Sequence, residues 1–222
     1  DAERDDVLDL EVDGIPDADA VADAVFHDLD RRSLDAEHLP ERGDHPGIAR
    51  HAARNVVNMF GALLAYDPYV SQDQADAYRV QLVSLDELLA QSDYVSVHTP
   101  LMPQTRGLIG AAQLAKMKPT SYLINTSRGP VVDEAALIAA LQAKQIAGAA
   151  LDVFDAEPLV ADSPLRELEN VILTPHTAAY SEQAIVDLRA AVTTTVSDVL
   201  QGYLPRHILN SNVTSRFGLR RR

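Results

Sequence analysis

Three charged side chains in the second half of the chain are of types that can act together: Arg128 in NTSRG, Glu157 in DAEPL and His176 in TPH. A guanidinium held away from bulk water can grip a carboxylate through two parallel hydrogen bonds and polarise an adjacent carbonyl. An imidazole can give a proton to the oxygen that a hydride transfer turns into an alkoxide, and a neighbouring carboxylate raises its pKa and selects its tautomer. Each residue alone also has an ordinary structural role. Arg128 can be a surface charge before a helix, Glu157 a loop acid and His176 a satisfied loop histidine, so the chemistry depends on whether the fold brings the three together.

The elements that would position them follow from periodicity. From about position 62 onward, short apolar runs alternate with amphipathic segments of helical period, the pattern of a parallel sheet with crossover helices. Strands are expected over 62–66, 94–98, 121–125, 147–152 and 171–174. Helices are expected over 85–91, 111–116, 133–143 with Asp133 as N-cap, and 181–201 with Ser181 as N-cap and Gly202 as the stop. In open parallel sheets ligands bind outside the carboxyl ends of the strands. Asp67, Thr99, the run Thr126, Ser127 and Arg128, then Asp152, and finally His176 all fall at or just after such ends. Asp67 has a specific job available there. An acid ending the second strand of a βαβ unit accepts hydrogen bonds from the adenosine ribose and repels a 2′-phosphate, which selects NAD over NADP. The alternative is a turn aspartate in a D-P pair.

Composition bounds the partners. The 222 residues are 46% apolar, enough for a real core, and the formal charge is 19 − 33 = −14. That balance argues against nucleic acid or an anionic membrane as partner, the only basic cluster being RRR at 220–222. No cysteine is present, which excludes disulfides, thiolate metal sites and cysteine nucleophiles, and no metal site is expected. There is no run of 18 apolar residues and the N-terminus DAERDD is acidic, so a soluble cytoplasmic protein is the default expectation. Residues 1–44 are acidic and hold one candidate helix, 18–32, with Val21, Val25, Phe26 and Leu29 on one face. Residues 45–202 carry the α/β pattern, and 203–222 read as a tail.

The ordered segments VSVHTPLMPQTRGLI, LINTSRGPVVDEAAL, GAALDVFDAEPL and NVILTPHTAAYSEQA resemble the D-isomer-specific 2-hydroxyacid dehydrogenases, the family of phosphoglycerate dehydrogenase and the C-terminal binding protein corepressors. The resemblance runs over roughly 47–213. It implies a Rossmann-like, doubly wound α/β domain that binds NAD, forms a homodimer and acts on a small 2-oxo or 2-hydroxy acid. By resemblance, Arg128, Glu157 and His176 are the catalytic set: Arg128 holds the substrate, and His176 paired with Glu157 supplies the proton. The same resemblance places Asp67 on the adenosine ribose and Thr99 along the cofactor. Thr126, Ser127 and Asp152 approach the nicotinamide, and Gly47, Ile48, Ala49, Arg128, His176 and Ala179 complete the cofactor-binding set.

Two departures stand beside this. Counting back from Phe60-Gly61, the three fingerprint glycines should fall at 45, 47 and 50, where the chain has His45, Gly47 and Arg50. ERGDHP before Gly47 also lacks the apolar residues of a buried central strand, so the first strand of the sheet is expected to be lost or irregular. The second departure is length: residues 1–44 are read as a remnant of the substrate domain and its linker helix, too short to form the lobe that closes over the cofactor. The alternative function is therefore a catalytically impaired or non-catalytic remnant that serves as a dimerising NAD-binding or interaction module.

Overall fold

The computed structural model describes residues 22–23, 52–53, 62–205 and 218–220. They fall in two compact units, Asp1–His176 and Thr177–Arg222. In the first unit the strands are β1 (Ala22–Asp23), β2 (Ala62–Ala65), β3 (Gln81–Leu82), β4 (Tyr94–Val97), β5 (Tyr122–Asn125), β6 (Gly148–Leu151) and β7 (Val171–Leu173). Between them run α1 (Gln72–Asp76), α2 (Leu85–Gln91), α3 (Ala111–Leu114) and α4 (Glu134–Gln142). All pairings are parallel, and the seven-stranded sheet has the order β3-β2-β1-β4-β5-β6-β7. This is a doubly wound order, reversing about β1.

Burial explains the strands. In β2, Leu64 packs into the larger core with Leu88, Leu89, Val95 and Leu123, whereas Leu63 and Ala65 pack into a second cluster with Val70, Ala75 and Val80. Alternate residues thus enter cores on opposite faces, which is why the run reads ALLA without a polar alternation. Two of these helices, α2 and α4, start at side-chain caps. Ser84 accepts from the Glu87 N–H, and Asp133 from the Ala136 N–H.

Three elements differ from the sequence expectation. The place between β2 and β4 is filled by Ala22–Asp23, which pairs with Ala62, Leu63 and Tyr94. The central strand is thus a two-residue piece from the segment expected to be helical, and ERGDHP before Gly47 lies outside the described residues. Unsatisfied backbone groups on the facing edges of β2 and β4 are a stronger demand than the weak helical propensity of VADAV. The remainder of the 18–32 helix lies outside the described residues. At the sheet margin, α1 and β3 were missing from the expected elements. Their residues, QDQAD and QL, carry no apolar period, and Gln72 joins them by accepting from the Leu82 N–H and donating to the Val80 carbonyl.

The second unit contains α5 (Glu182–Leu200), capped by Ser181, whose hydroxyl accepts from the Ala184 N–H. Gly202 ends it at φ +80°. Residues 203–222, expected as a tail, include a return: Tyr203 bridges to Arg220, and the Leu204 N–H donates to the Arg220 carbonyl.

Candidate functional site

The strand register sets the level of the site. Val97, Asn125 and Leu151 are paired across β4, β5 and β6, and Leu151 pairs with Leu173 of β7. The chain therefore leaves four neighbouring strands at one height, and the residues that follow, His98 and Thr99, Thr126 to Arg128, Asp152, and Thr174 to His176, share the carboxyl edge of the sheet. Asp67 follows β2 on that edge.

Glu157 and His176 are joined directly: His176 Nδ1 lies 2.7 Å from Glu157 Oε2. Because an ionised carboxylate only accepts, the imidazole donates from Nδ1. The second carboxylate oxygen, Oε1, accepts from the Phe154 N–H at 3.1 Å. The His176 hydrogen bond and then the Phe154 bond hold the Glu157 carboxyl below its ordinary 4.5; burial opposes this, and the charges of His176 and Arg128 add to the lowering. Arg128 is thus near enough for its charge to act on Glu157. Glu157 and His176 are thus brought together, and Arg128 stands beside them through Gly129, which abuts Phe154.

Their backbones are held by different means. His176 adopts φ +54°, an unusual value for a residue with a side chain. Its N–H donates to the carbonyls of Asp152 (2.9 Å) and Thr174 (3.1 Å). Asp152 is 3% exposed and accepts from the Thr174 hydroxyl at 2.6 Å. Arg128 sits on a turn organised by Asn125, which is 1% exposed: its Oδ1 accepts from the Ser127 N–H and hydroxyl, and its Nδ2 donates to the Arg128 carbonyl. The Arg128 side chain is exposed, rather than held away from water, and Nη1 donates to the Ser127 carbonyl at 2.6 Å. Beside the Glu157–His176 pair lies a cavity of about 510 Å³ lined by Phe154, Pro158, Leu159, Leu173 and Pro175, with Arg166 at its wall.

The expected cofactor residues divide. Thr99 is fully buried, and its hydroxyl has no hydrogen-bond partner among the described residues. Asp67 is largely buried and accepts from the Tyr69 N–H at 2.8 Å, so the turn role is present whatever else the carboxylate does. Thr126 is exposed and Ser127 half-buried. Ala179 is exposed and belongs to the second unit. Gly47, Ile48 and Ala49 lie outside the described residues.

Residues that sequence reading passed over are those acting through others. Asn125 shapes the Arg128 turn. Gly129 abuts Phe154 so closely that a Cβ would stand 2.0 Å from its carbonyl carbon and oxygen. His98, half-buried and 2.9 Å from the Ser96 hydroxyl, is held neutral by burial, its pKa lowered to about 4. Only its position at a strand end signalled His98.

Residues 46–178 match the family described as D-isomer specific 2-hydroxyacid dehydrogenase, NAD binding domain. The chain is 48% identical to the D-3-phosphoglycerate dehydrogenase of Synechocystis sp. over 73% of its own length and 29% of that protein. It is 40% identical to the glyoxylate reductase of Korarchaeum cryptofilum over 75% of its length and 50% of that protein. Among solved structures, a D-lactate dehydrogenase from Sporolactobacillus sp. aligns with a TM-score of 0.72 at 34% identity, covering 88% of this chain and 57% of that one. The NAD-complexed D-isomer specific 2-hydroxyacid dehydrogenase of Lactobacillus delbrueckii ssp. bulgaricus aligns at 0.64 and 34%, covering 73% and 53%. The chain spans between about a third and just over half of the length of these relatives.

Proposed function

The chain belongs to the D-isomer specific 2-hydroxyacid dehydrogenase family, and from that premise we propose that it binds NAD(H) and interconverts a small 2-oxo acid and its 2-hydroxy acid. The observation that carries this reading is the Glu157–His176 hydrogen bond at the carboxyl edge of the sheet, within the electrostatic reach of Arg128.

The cofactor reading is supported by the chemistry of the edge. The buried, partnerless hydroxyl of Thr99 offers a donor and an acceptor there, and Asp67 places an acid at the end of β2. When bound, the nicotinamide supplies the hydride for the carbonyl carbon. This chain's own residues do the rest. Arg128 orients the substrate carboxylate and draws electron density from the adjacent carbonyl. His176, with Nδ1 committed to Glu157, presents Nε2 and gives its proton to the developing alkoxide. Glu157 fixes the tautomer and stabilises the imidazolium in the reverse direction, when His176 takes the hydroxyl proton. Asp152 holds the His176 backbone, so the ring is aimed from a braced main chain.

The substrate is a small anion, in keeping with the glyoxylate and phosphoglycerate named for the relatives and with the Arg128 guanidinium at the carboxyl edge. The acidic balance of −14 disfavours a polyanion as partner, and no described helix is long and apolar enough to cross a membrane. A cytoplasmic homodimer is part of the same reading. Exposed Ile185, Leu188, Val192, Val196 and Val199 on α5 support it, since they repeat at helical spacing and leave apolar surface to cover.

Calorimetric titration with NADH, followed by turnover of glyoxylate or hydroxypyruvate, tests the function. Binding that weakens in Asp67→Ala, together with turnover that disappears in His176→Asn, is the expected outcome. No detectable binding at millimolar NADH would overturn the reading.

A further inference from the structure

An ion pair at a surface is usually loose, and the pair on which this reading rests is open: the His176 side chain is 48% exposed and that of Glu157 is 36%. Proton transfer nevertheless needs the imidazole in one tautomer and one orientation. Something other than burial must hold Glu157 against His176.

The restraint lies in two successive peptide N–H groups of the loop that follows β6. The Phe154 N–H donates to Glu157 Oε1. The next, that of Asp155, donates at 3.1 Å to Glu134 Oε2, a carboxylate 21 positions earlier in the first turn of α4. The 154–155 peptide also lies flat against Gly129, where a Cβ would come within 2.0 Å of Phe154 and 2.7 Å of the Asp155 nitrogen. Gly129 directly follows Arg128. The 154–155 peptide is therefore fixed on its face by the Arg128 segment and at its N–H by Glu134, and the peptide before it, joined to it at the Phe154 Cα, carries the N–H that aims Glu157.

We propose that Glu134 is a positioning residue for the Glu157–His176 pair, acting through the Asp155 N–H to keep the Glu157 carboxylate on His176 Nδ1. This assignment rests on the reading of that pair as the proton-transfer couple. The ordinary role for an acid at this place is stabilisation of the helix N-terminus by its charge. The two roles make opposite demands: a helix terminus needs the charge and tolerates a shorter side chain, whereas the Asp155 bond needs the reach and accepts a neutral amide oxygen.

The test uses the full chain, labelled with ¹⁵N, as wild type and as Glu134→Ala, Glu134→Gln, Glu134→Asp and Glu157→Gln. Imidazole nitrogen shifts report the His176 tautomer, and exchange of the Asp155 amide reports its hydrogen bond. The wild type is expected to carry the His176 proton on Nδ1. Glu134→Ala and Glu134→Asp should speed Asp155 exchange at least tenfold and move the tautomer towards that of Glu157→Gln, while Glu134→Gln stays within twofold of wild type in both. Where substrate is turned over, kcat should fall at least fivefold in Ala and Asp variants with NADH affinity unchanged. If the Ala variant fails to fold, the Asp and Gln variants decide, because a pure charge role reverses their order. Asp155 exchange that rises without any change in the His176 tautomer would overturn the proposal. A chain that turns over no 2-oxo acid yet gives the expected tautomer shifts would count against the dehydrogenase reading and leave Glu134 in its role.

Discussion

Replacing Gly129 by alanine tests the packing of the site at its narrowest point. An added Cβ would sit 2.0 Å from the carbonyl carbon and oxygen of Phe154, so reaching an ordinary 3.4 Å contact requires the two segments to part by about 1.4 Å. Both sides of that contact are backbone, and no side chain can rotate away. A displacement of this size carries the Asp155 N–H beyond reach of Glu134, now 3.1 Å away, and strains the Phe154 N–H bond to Glu157. Two hydrogen bonds at about 1 kcal/mol each, with an overpacking cost of about 1–3 kcal/mol, give a loss of roughly 3–5 kcal/mol. For a chain of this size that lowers Tm by roughly 6–20 °C. Since a misplacement of about 1 Å at a reacting group can cost on the order of 100-fold in rate, turnover should fall further than folding stability alone explains. Thermal unfolding, NADH titration and steady-state kinetics on one preparation separate the effects: Tm and kcat should drop while NADH affinity changes little. A variant with wild-type Tm and wild-type kcat would refute the argument that this contact holds Arg128 and Glu157 together.

Glu157→Gln should make stability less dependent on pH. The folded-state carboxyl is held below its ordinary 4.5, so its contribution is present above that value and is lost as pH falls through the lower folded value. Unfolding midpoints of wild type and variant should converge in that acid range, from a difference of at most about 1 kcal/mol because the pair is exposed. His98 acts in the same direction over a higher window: with its folded pKa lowered from 6.5 to about 4, the unfolded chain takes up a proton the folded chain refuses, and wild type loses up to about 3 kcal/mol as pH falls across that window. His98→Gln should flatten this slope in denaturant titrations at pH 7 and pH 4.5, and equal slopes would sink the account. Asn125→Ala removes a buried side chain that serves three hydrogen bonds of the Arg128 turn, and a loss of about 2–3 kcal/mol with a raised KM for the 2-oxo acid is expected by urea unfolding and kinetics.

What the sequence made legible, and what it hid, follows from the range of the interactions. LLA, YVSV, YLIN, GAAL and VIL announce strands because each is a short run in which apolar residues predominate, and the caps Asp133 and Ser181 act within three residues of themselves. Gln81–Leu82 is too short to carry a period, and Ala22–Asp23 becomes a strand because of a vacancy between β2 and β4, which lies 39 residues or more away along the chain. At the site, Arg128, Glu157 and His176 could be named from type and motif. Asn125, Gly129 and Glu134 could not, because their value lies in a turn, a 2.0 Å approach and a bond across 21 residues, none of which leaves a mark in local pattern.

The left-handed backbone of His176 also decides which residues can stand in its place. At φ +54° glycine is unstrained, asparagine and aspartate are tolerated, alanine costs about 1 kcal/mol or more, and valine, isoleucine or threonine cost more again. A saturation library at this position would therefore sort its survivors twice, once by main-chain tolerance and once by proton chemistry. The customary alanine knock-out mixes the two. Asparagine removes the acid and base while leaving the turn intact, so a comparison of the two variants measures how much of an apparent catalytic defect is conformational.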